Sequence, residues 1–267
     1  MLERIELAAT SLLWLAAMFY PLEWAFPAWR GQKRWRPGWL ADLAFFLGQH
    51  LLFSALVVSA ISWLSSRLPA GGVPGWLGMG EVPLWTKALV AIVGGDLAMY
   101  AGHRLQHRCD LLWRFHSVHH TTTHLDWLAA HREHPLDGLY TQTLMNLPAI
   151  AVGLHVDAVL GLVAFRALWA IFIHSNARMP LGPLRMLLGS PELHHWHHAR
   201  DREAGNYANL APYLDWIFGT YRRPASEPTD LGIDEEHPEG YVGLLLHPFR
   251  ARRTAQVDAV MVSAVER

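Results

Sequence analysis

The 267-residue sequence has a single cysteine, Cys109, which excludes an internal disulfide and leaves no cysteine set for an iron–sulfur cluster. It has no glycine-rich flavin or nicotinamide fingerprint, so electrons for any redox chemistry must come from outside the chain. Charge is also scarce. Only 17% of residues are Asp, Glu, Lys or Arg, and the net charge of −1 offers no basic surface for nucleic acid. From Leu43 to Ser66 there is no charged residue at all. No internal repeat or long linker divides the chain, which reads as one domain over 1–267. The first apolar stretch lacks a basic leader and a small-residue cleavage site, so it is expected to remain as a span.

Hydrophobic residues make up 52% of the chain, and thirteen residues are tryptophan. This composition predicts an all-α, polytopic membrane bundle of about four to five embedded helices under a polar helical cap. Membrane helices are expected within 7–102, from stretches Leu7–Leu22, Leu43–Ser66 and Ala88–Gly102. A hairpin is expected within 139–173, Leu139–Val156 and Ala158–Ile173, turning near His155 and Asp157. Arg30, Lys33, Arg34 and Arg36 follow the first stretch, and by the positive-inside rule they place that connection in the cytoplasm. A Gly/Pro-rich loop, Pro69 to Pro83, then lies outside, and His103 returns to the cytoplasmic side while His155 does not. Trp24, Trp29, Trp35 and Trp39 read as inner interfacial anchors, and Trp63, Trp76 and Trp85 as outer ones.

What the chain has in excess is histidine at ligand spacing. His103 and His107 lie four apart, His116 with His119 and His120 repeats at i, i+3 and i+4, and His194 with His197 and His198 does so again. On a helix such residues share a face with side chains roughly 6 Å apart. Eight convergent imidazoles exceed the capacity of one ion, so the spacing points to two metal ions. The lone His50, His155, His237 and His247 read as ordinary core or surface residues.

Taken in order, the segments DLAMYAGHRLQH (96–107), LWRFHSVHH (112–120), AAHREHPLDG (129–138), FIHSN (172–176), SPELHHWHH (190–198), NYANL (206–210) and DWIFGTYRRP (215–224) resemble the fatty acid hydroxylase/sterol desaturase superfamily of membrane-bound histidine-box diiron enzymes. The tail, from Gly232 through the HPF at 247–249, resembles its bacterial branch. The resemblance implies a first histidine-box region over 103–138, a second over 174–224 and a C-terminal tail over 225–267. It implies iron ligation by His103, His107, His116, His119, His120, His194, His197 and His198, completed by His134 and His174. His131 and His195, with Asp96 and Asn176 from the same segments, are placed as second partners that orient the ligating rings. Ala208 departs from the glycine expected after Asn-Tyr and bears on local loop geometry.

The implied cofactors are two Fe ions, with zinc able to occupy the same donors in purified material, and O2 as co-substrate. The implied reaction is hydroxylation or desaturation of a fatty acyl, alkyl-ether, sterol or carotenoid lipid, in a bacterial inner membrane with the site facing the cytoplasm. An external ferredoxin, cytochrome or reductase would dock on the cap, with Arg200, Arg202, Arg222 and Arg223 as basic contacts. Two other classes stay open at this point. One is a zinc hydrolase or isomerase with Glu133 or Glu192 as base, and the other is a non-enzymatic metal-binding membrane protein. Asp96, two turns before His103, and Arg166, eight residues before His174, are expected to pair within the membrane.

Overall fold

The computed structural model describes residues 2–68, 71–154, 156–179, 181–223 and 225–250. The expected turn residue His155, the loop residue Pro69, Pro224 of DWIFGTYRRP and the tail beyond Arg250 lie outside the described residues. The fold is all-helical, and among the described residues β structure is limited to two isolated bridges, Pro27 with Ala177 and Ala199 with Leu231.

Among the described residues three helices are long and apolar enough to cross a membrane: α1 (Leu2–Ala25), α2 (Trp39–Ser66) and α3 (Leu84–Arg108). At about 1.5 Å per residue, each is at least as long as a hydrocarbon core of about 30 Å. They leave Leu13, Trp14, Leu56, Trp63 and Leu89 exposed, as a lipid-facing surface requires. The next pair, α5 (Pro135–Ala151) and α6 (Val156–His174), falls where the hairpin is expected; at 17 and 19 residues both are shorter than the three spans, and α6 is strongly apolar. Gln142 and Asn146 make α5 too polar for a lipid-exposed span, and it packs against α3 and the second half of α2 instead.

Two π-turns interrupt the spans, Gln49–Phe53 in α2 and Val90–Gly94 in α3. Such turns release backbone carbonyls from the regular ladder. In α3 the carbonyl of Ile92 accepts from Arg166 at 2.9 Å, while the same guanidinium meets Asp96 at 2.5 Å. Asp96 is thus committed to Arg166 across α3 and α6, as expected for the pair. It is not a partner of a histidine ring, which corrects the second role given to it.

Beyond the spans lie α4 (Asp110–His120), α7 (Pro191–His197), α8 (Tyr213–Ile217) and α9 (Tyr241–Leu246). α4 packs on α3 and α5, and α7 packs on α6. A buried cluster of Phe19, Phe46, Trp127, Leu128, Ile171, Phe172 and Ile173 joins α1, α2 and α6 to the loop after α4. Beside it four buried charges form one network. Arg36 bonds Asp126 through two nitrogens, at 2.7 and 2.5 Å, and Asp42 at 2.7 Å, while Asp42 also takes Arg132 at 2.5 Å. Two cations balance two anions, so the group stays buried without net charge. Arg36 therefore serves the interior rather than the membrane surface, whereas Arg30, Lys33 and Arg34 remain exposed. Trp24, Trp35, Trp63, Trp76 and Trp85 are exposed, in keeping with anchors. Trp29 is not an anchor, because its ring packs at a tilt against His195, with centroids 4.5 Å apart, and donates to the carbonyl of Pro228.

Candidate metal centre

α3, α4, α6 and α7 bring nine histidines to one buried place, in two groups. His103 and His107 from α3, His116 and His120 from α4 and His197 from α7 form the first. His119 from α4, His174 at the end of α6, and His194 and His198 from α7 and its C-terminal edge form the second. Within each group the nearest ring nitrogens all lie within 4.8 Å of one another. The i, i+4 pairs of α3 and α4 feed the first group, and the i+3 offset of His119 turns that ring toward the second.

The Nδ1 atoms fix how these rings face. His103 donates from Nδ1 to the carbonyl of Tyr207 at 2.7 Å, His107 to that of Arg202 at 2.6 Å, and His197 to that of Gly205 at 2.8 Å. His119 donates to the carbonyl of Arg132 at 2.9 Å, His174 to that of Ala170 at 2.6 Å, and His116 to the carboxylate of Asp137 at 2.9 Å. A neutral imidazole that donates through Nδ1 presents a lone pair at Nε2. Burial, reinforced by neighbouring imidazoles, holds His116, His120, His194, His197 and His198 well below the usual histidine range, so these rings are neutral near pH 7. Burial lowers His119 as well.

Those lone pairs converge. The Nε2 atoms of His103 and His116 are 3.0 Å apart, and those of His119 and His174 are 2.9 Å apart, with no proton available to either contact. His194 and His198 approach His174 at 2.9 and 3.2 Å, and the Nε2 atoms of His107 and His197 are buried without a partner. Opposed lone pairs at this distance repel unless a cation lies between them. An ion about 2.1 Å from each nitrogen would separate adjacent donors by about 3.0 Å at a right angle and about 3.4 Å at the tetrahedral angle. The residues present therefore fit bound cations, with five donors in one group and four in the other.

The other expected ligand, His134, lies apart from both groups. It caps the start of α5, where Pro135 occupies the first helical position. Its Nδ1 accepts from Leu136 N–H and its Nε2 donates to Leu245 O, each at 3.2 Å. With both nitrogens engaged by backbone, it has no free donor atom for a metal. Three of the four proposed orienting residues also act elsewhere. His195 meets Glu227 at 2.7 Å and the carbonyl of Ser175 at 3.0 Å, bracing the residue after His174 rather than a ring. Asn176 holds both backbone groups of Trp29, and Asp96 pairs with Arg166 as described. His131 donates to Gln49 at 3.1 Å and lines a cavity without touching a ring of either group.

The orienting function falls instead to residues the sequence reading passed over. Asp137 holds His116 through one oxygen and accepts from Gln106 through the other at 2.5 Å. The loop over residues 202–207 supplies three of the six Nδ1 acceptors. Asn206, the only non-glycine residue with positive φ among those described (53°), bonds Leu193 O, Arg222 O and Arg222 N. Asp215 ties down the amides of Tyr207 and Ala208 at 2.8 and 2.9 Å. Ala208 sits in this loop without positive φ, so glycine is not required there. A sequence signal did exist for Asp137, one helical turn after the His-Pro pair, and for Asn206 and Asp215 within the quoted segments.

A cavity of about 250 Å³ abuts both groups, touching His103, His116, His119, His174 and His194, with apolar walls that include Met99, Met145, Val163 and Ile171. Glu133 also lines it, its carboxyl pushed up to about 8 by burial and by Asp137. A second cavity of about 260 Å³ reaches His120 and Trp113 and is rimmed by Arg200, Arg202, Asp234 and Glu235. Arg200 is paired with Asp230 and Asp234, and Arg202 with Asp110, so these two arginines are less free for a partner than the sequence suggests. Glu192 is likewise paired, with Arg185 at 3.0 Å.

The profile of the fatty acid hydroxylase family matches residues 88–220, a range that contains all nine clustered histidines. The chain is similar to the ornithine lipid hydroxylase OlsE of Rhizobium tropici, with 29% identity over 66% of this chain and 54% of that protein. It is similar to alkylglycerol monooxygenase of Danio rerio, with 28% identity over 66% of this chain and 40% of the relative. The human alkylglycerol monooxygenase is 33% identical over 49% of this chain and 29% of its own length. The chain thus spans about half the length of these relatives or less. No solved structure matches.

Proposed function

The chain belongs to the fatty acid hydroxylase family, and we propose that it is an integral-membrane oxygenase that holds two iron ions and uses O2 and external electrons to hydroxylate a lipid. The observation that carries this reading is the convergence of nine buried histidine nitrogens beside an apolar-walled cavity. The ligands are His103, His107, His116, His120 and His197 for one ion, and His119, His174, His194 and His198 for the other. Iron bound there would supply the activation of O2 that attack on an unactivated C–H bond needs. A first group of five nitrogen donors exceeds the four ligands that zinc favours and would suit iron better.

The chain's own residues do the rest. Asp137 and the carbonyls of Arg132, Ala170, Arg202, Gly205 and Tyr207 keep Nδ1 protonated on six of the nine rings, those of His103, His107, His116, His119, His174 and His197, so that their Nε2 lone pairs stay inward. Apolar walls exclude water and align an alkyl segment with the cluster. Electrons would enter from a separate redox protein, and the cavity that reaches His120 and Trp113 supports entry on that side. The exposed Arg30, Lys33 and Arg34 support a cytoplasmic position for the site, in a bacterial inner membrane.

The test is metal content and oxygen chemistry on one anaerobically purified sample. The reading predicts about two irons per chain, an optical or Mössbauer change when the reduced protein meets O2, and loss of both in His119→Ala. Tightly held zinc, with no oxygen reaction after iron reconstitution, would refute it.

A further inference from the structure

The loop that follows α1 carries three exposed cations close together, Arg30, Lys33 and Arg34. They line a cavity of about 310 Å³ with Tyr20, Glu23 and Trp24 at the end of α1. None of the nine clustered histidines lines it. Elsewhere the fold commits arginines to carboxylates, Arg36 to Asp42 and Asp126, Arg166 to Asp96, and Arg200 to Asp230. Here it does not. Among the described residues the side chains of Arg30 and Lys33 have no ion pair or hydrogen bond, and the Arg34 guanidinium meets only the Tyr20 ring, 5.1 Å from its centroid. The acidic residues of the same cavity are engaged in other bonds. Asp126 gives both oxygens to Arg36, at 2.7 and 2.5 Å, and Glu23 Oε1 accepts from the amides of Trp127 and Asn176 at 2.8 and 3.0 Å. Three neighbouring cations without a counter-ion repel one another, and a bound anion relieves that repulsion. Guanidinium and ammonium groups together are the donors that hold a phosphate.

Position decides where that phosphate comes from. Leu13, Ala17, Tyr20 and Trp24 fall at i, i+4, i+7 and i+11 and share one face of α1, on which Leu13 is 70% and Trp24 80% exposed. That face runs from the cavity along a helix long and apolar enough to cross a membrane, and a tryptophan at its end belongs at headgroup depth. The volume is at the low end of the roughly 300–1,000 Å³ of small-ligand sites, so it takes a headgroup while the acyl chains stay outside.

We propose that this cavity binds the headgroup of an anionic phospholipid, its phosphodiester held by Arg30, Lys33 and Arg34 and one acyl chain laid along Tyr20, Ala17 and Leu13. The occupant is a resident lipid and not a reactant, because no histidine of either group reaches it. The site is independent of what the metal centre does. Glu23 and Trp29 on its wall hold Asn176, two residues past His174, so occupancy braces the segment that carries that histidine.

Titration of the full chain in dodecyl maltoside micelles with dioleoyl phosphatidylglycerol, dioleoyl phosphatidylcholine and inorganic phosphate tests this, read as the ligand-dependent rise in unfolding temperature. Wild type is expected to bind the anionic lipid at least about tenfold more tightly than the zwitterionic one. Lys33→Gln is expected to weaken the anionic lipid about fivefold, and Arg30→Gln/Lys33→Gln/Arg34→Gln about 100-fold, which removes the preference. Arg222→Gln/Arg223→Gln, which removes two exposed cations elsewhere, keeps it. Equal binding of the two lipids by wild type would overturn the proposal. So would a loss in the Arg222/Arg223 variant as large as in the triple variant, which would make the effect one of overall charge. Inorganic phosphate binding as tightly as the anionic lipid would reassign the site to a soluble anion and overturn it as well. Should the triple variant fail to fold, Lys33→Gln, at an exposed and unpartnered side chain, carries the test.

Discussion

Replacing Asp137 by leucine leaves the Nδ1–H of His116 buried without an acceptor, and frees that ring to take the tautomer in which Nε2 carries the proton. The first effect costs about 1–3 kcal/mol, the penalty of an unpaired buried donor. At about 1.4 kcal/mol per tenfold, metal affinity at the five-histidine group falls by roughly 5- to 150-fold, in line with the 10- to 100-fold typical when a partner behind a metal-binding histidine is lost. Asparagine is the informative control. Its single carbonyl oxygen can keep His116, and its NH2 then faces Gln106, whose Oε1 is buried and unpartnered and can accept after the amide turns over. The loss in Asp137→Asn is then that of a charge-assisted bond reduced to a neutral one, about tenfold or less. Competition with a chromophoric chelator, using zinc or ferrous ion and the metal per chain as a check, gives the affinities. Leucine and wild type agreeing within twofold would refute the role given to Asp137, and asparagine behaving as badly as leucine would show that charge, not ring orientation, is what Asp137 provides.

Asp42→Ala leaves two buried guanidiniums short of an anion and is expected to cost about 3–5 kcal/mol, a fall of roughly 6–20 °C in unfolding temperature. Because the Arg132 carbonyl holds His119, the same variant also loses metal from the four-histidine group, and intact melting with full metal would contradict the network. Asp96→Asn and Arg166→Met each destabilise strongly, while the double variant costs less than their sum; strict additivity in a double-mutant cycle would argue against coupling. Glu133 gives a pH signature in metal-free protein. Its folded value is raised, so between about pH 4.5 and pH 8 the unfolded chain releases a proton that the folded chain keeps, and stability declines as pH rises through that window. Glu133→Gln makes that decline shallower without abolishing it, because burial raises Glu23 and Asp137 in the same window, and parallel melting curves for variant and wild type from pH 5 to pH 8 would rule out the share assigned to Glu133.

Much of the architecture was legible because it is local. The charge-free run Leu43–Ser66 and the periodic histidines of α3, α4 and α7 follow from helix geometry alone, and the pairing of Asp96 with Arg166 follows from depth along two helices. Two helices, α5 and α6, fall where the hairpin was expected, although Gln142 and Asn146 make α5 more polar than the three long spans. Trp29 and Arg36 were misassigned for one reason. Composition places aromatic and basic residues at an interface by default, and only the packed structure shows His195 under the one and Asp42 with Asp126 around the other.

By itself the sequence determined which residue types meet and on which helical faces, since spacings of three and four fix neighbours on an α-helix whatever surrounds it. It could not divide nine histidines into five and four, nor separate His134 from them, because those outcomes depend on how α3, α4, α6 and α7 cross. Nor could it name the partners at Nδ1, most of which are backbone carbonyls that every residue carries and no side-chain pattern marks. The tertiary structure decided these, by closing the loop at Asn206 over the rings and turning Asp137 inward where the His134 ring turns back to cap its own helix.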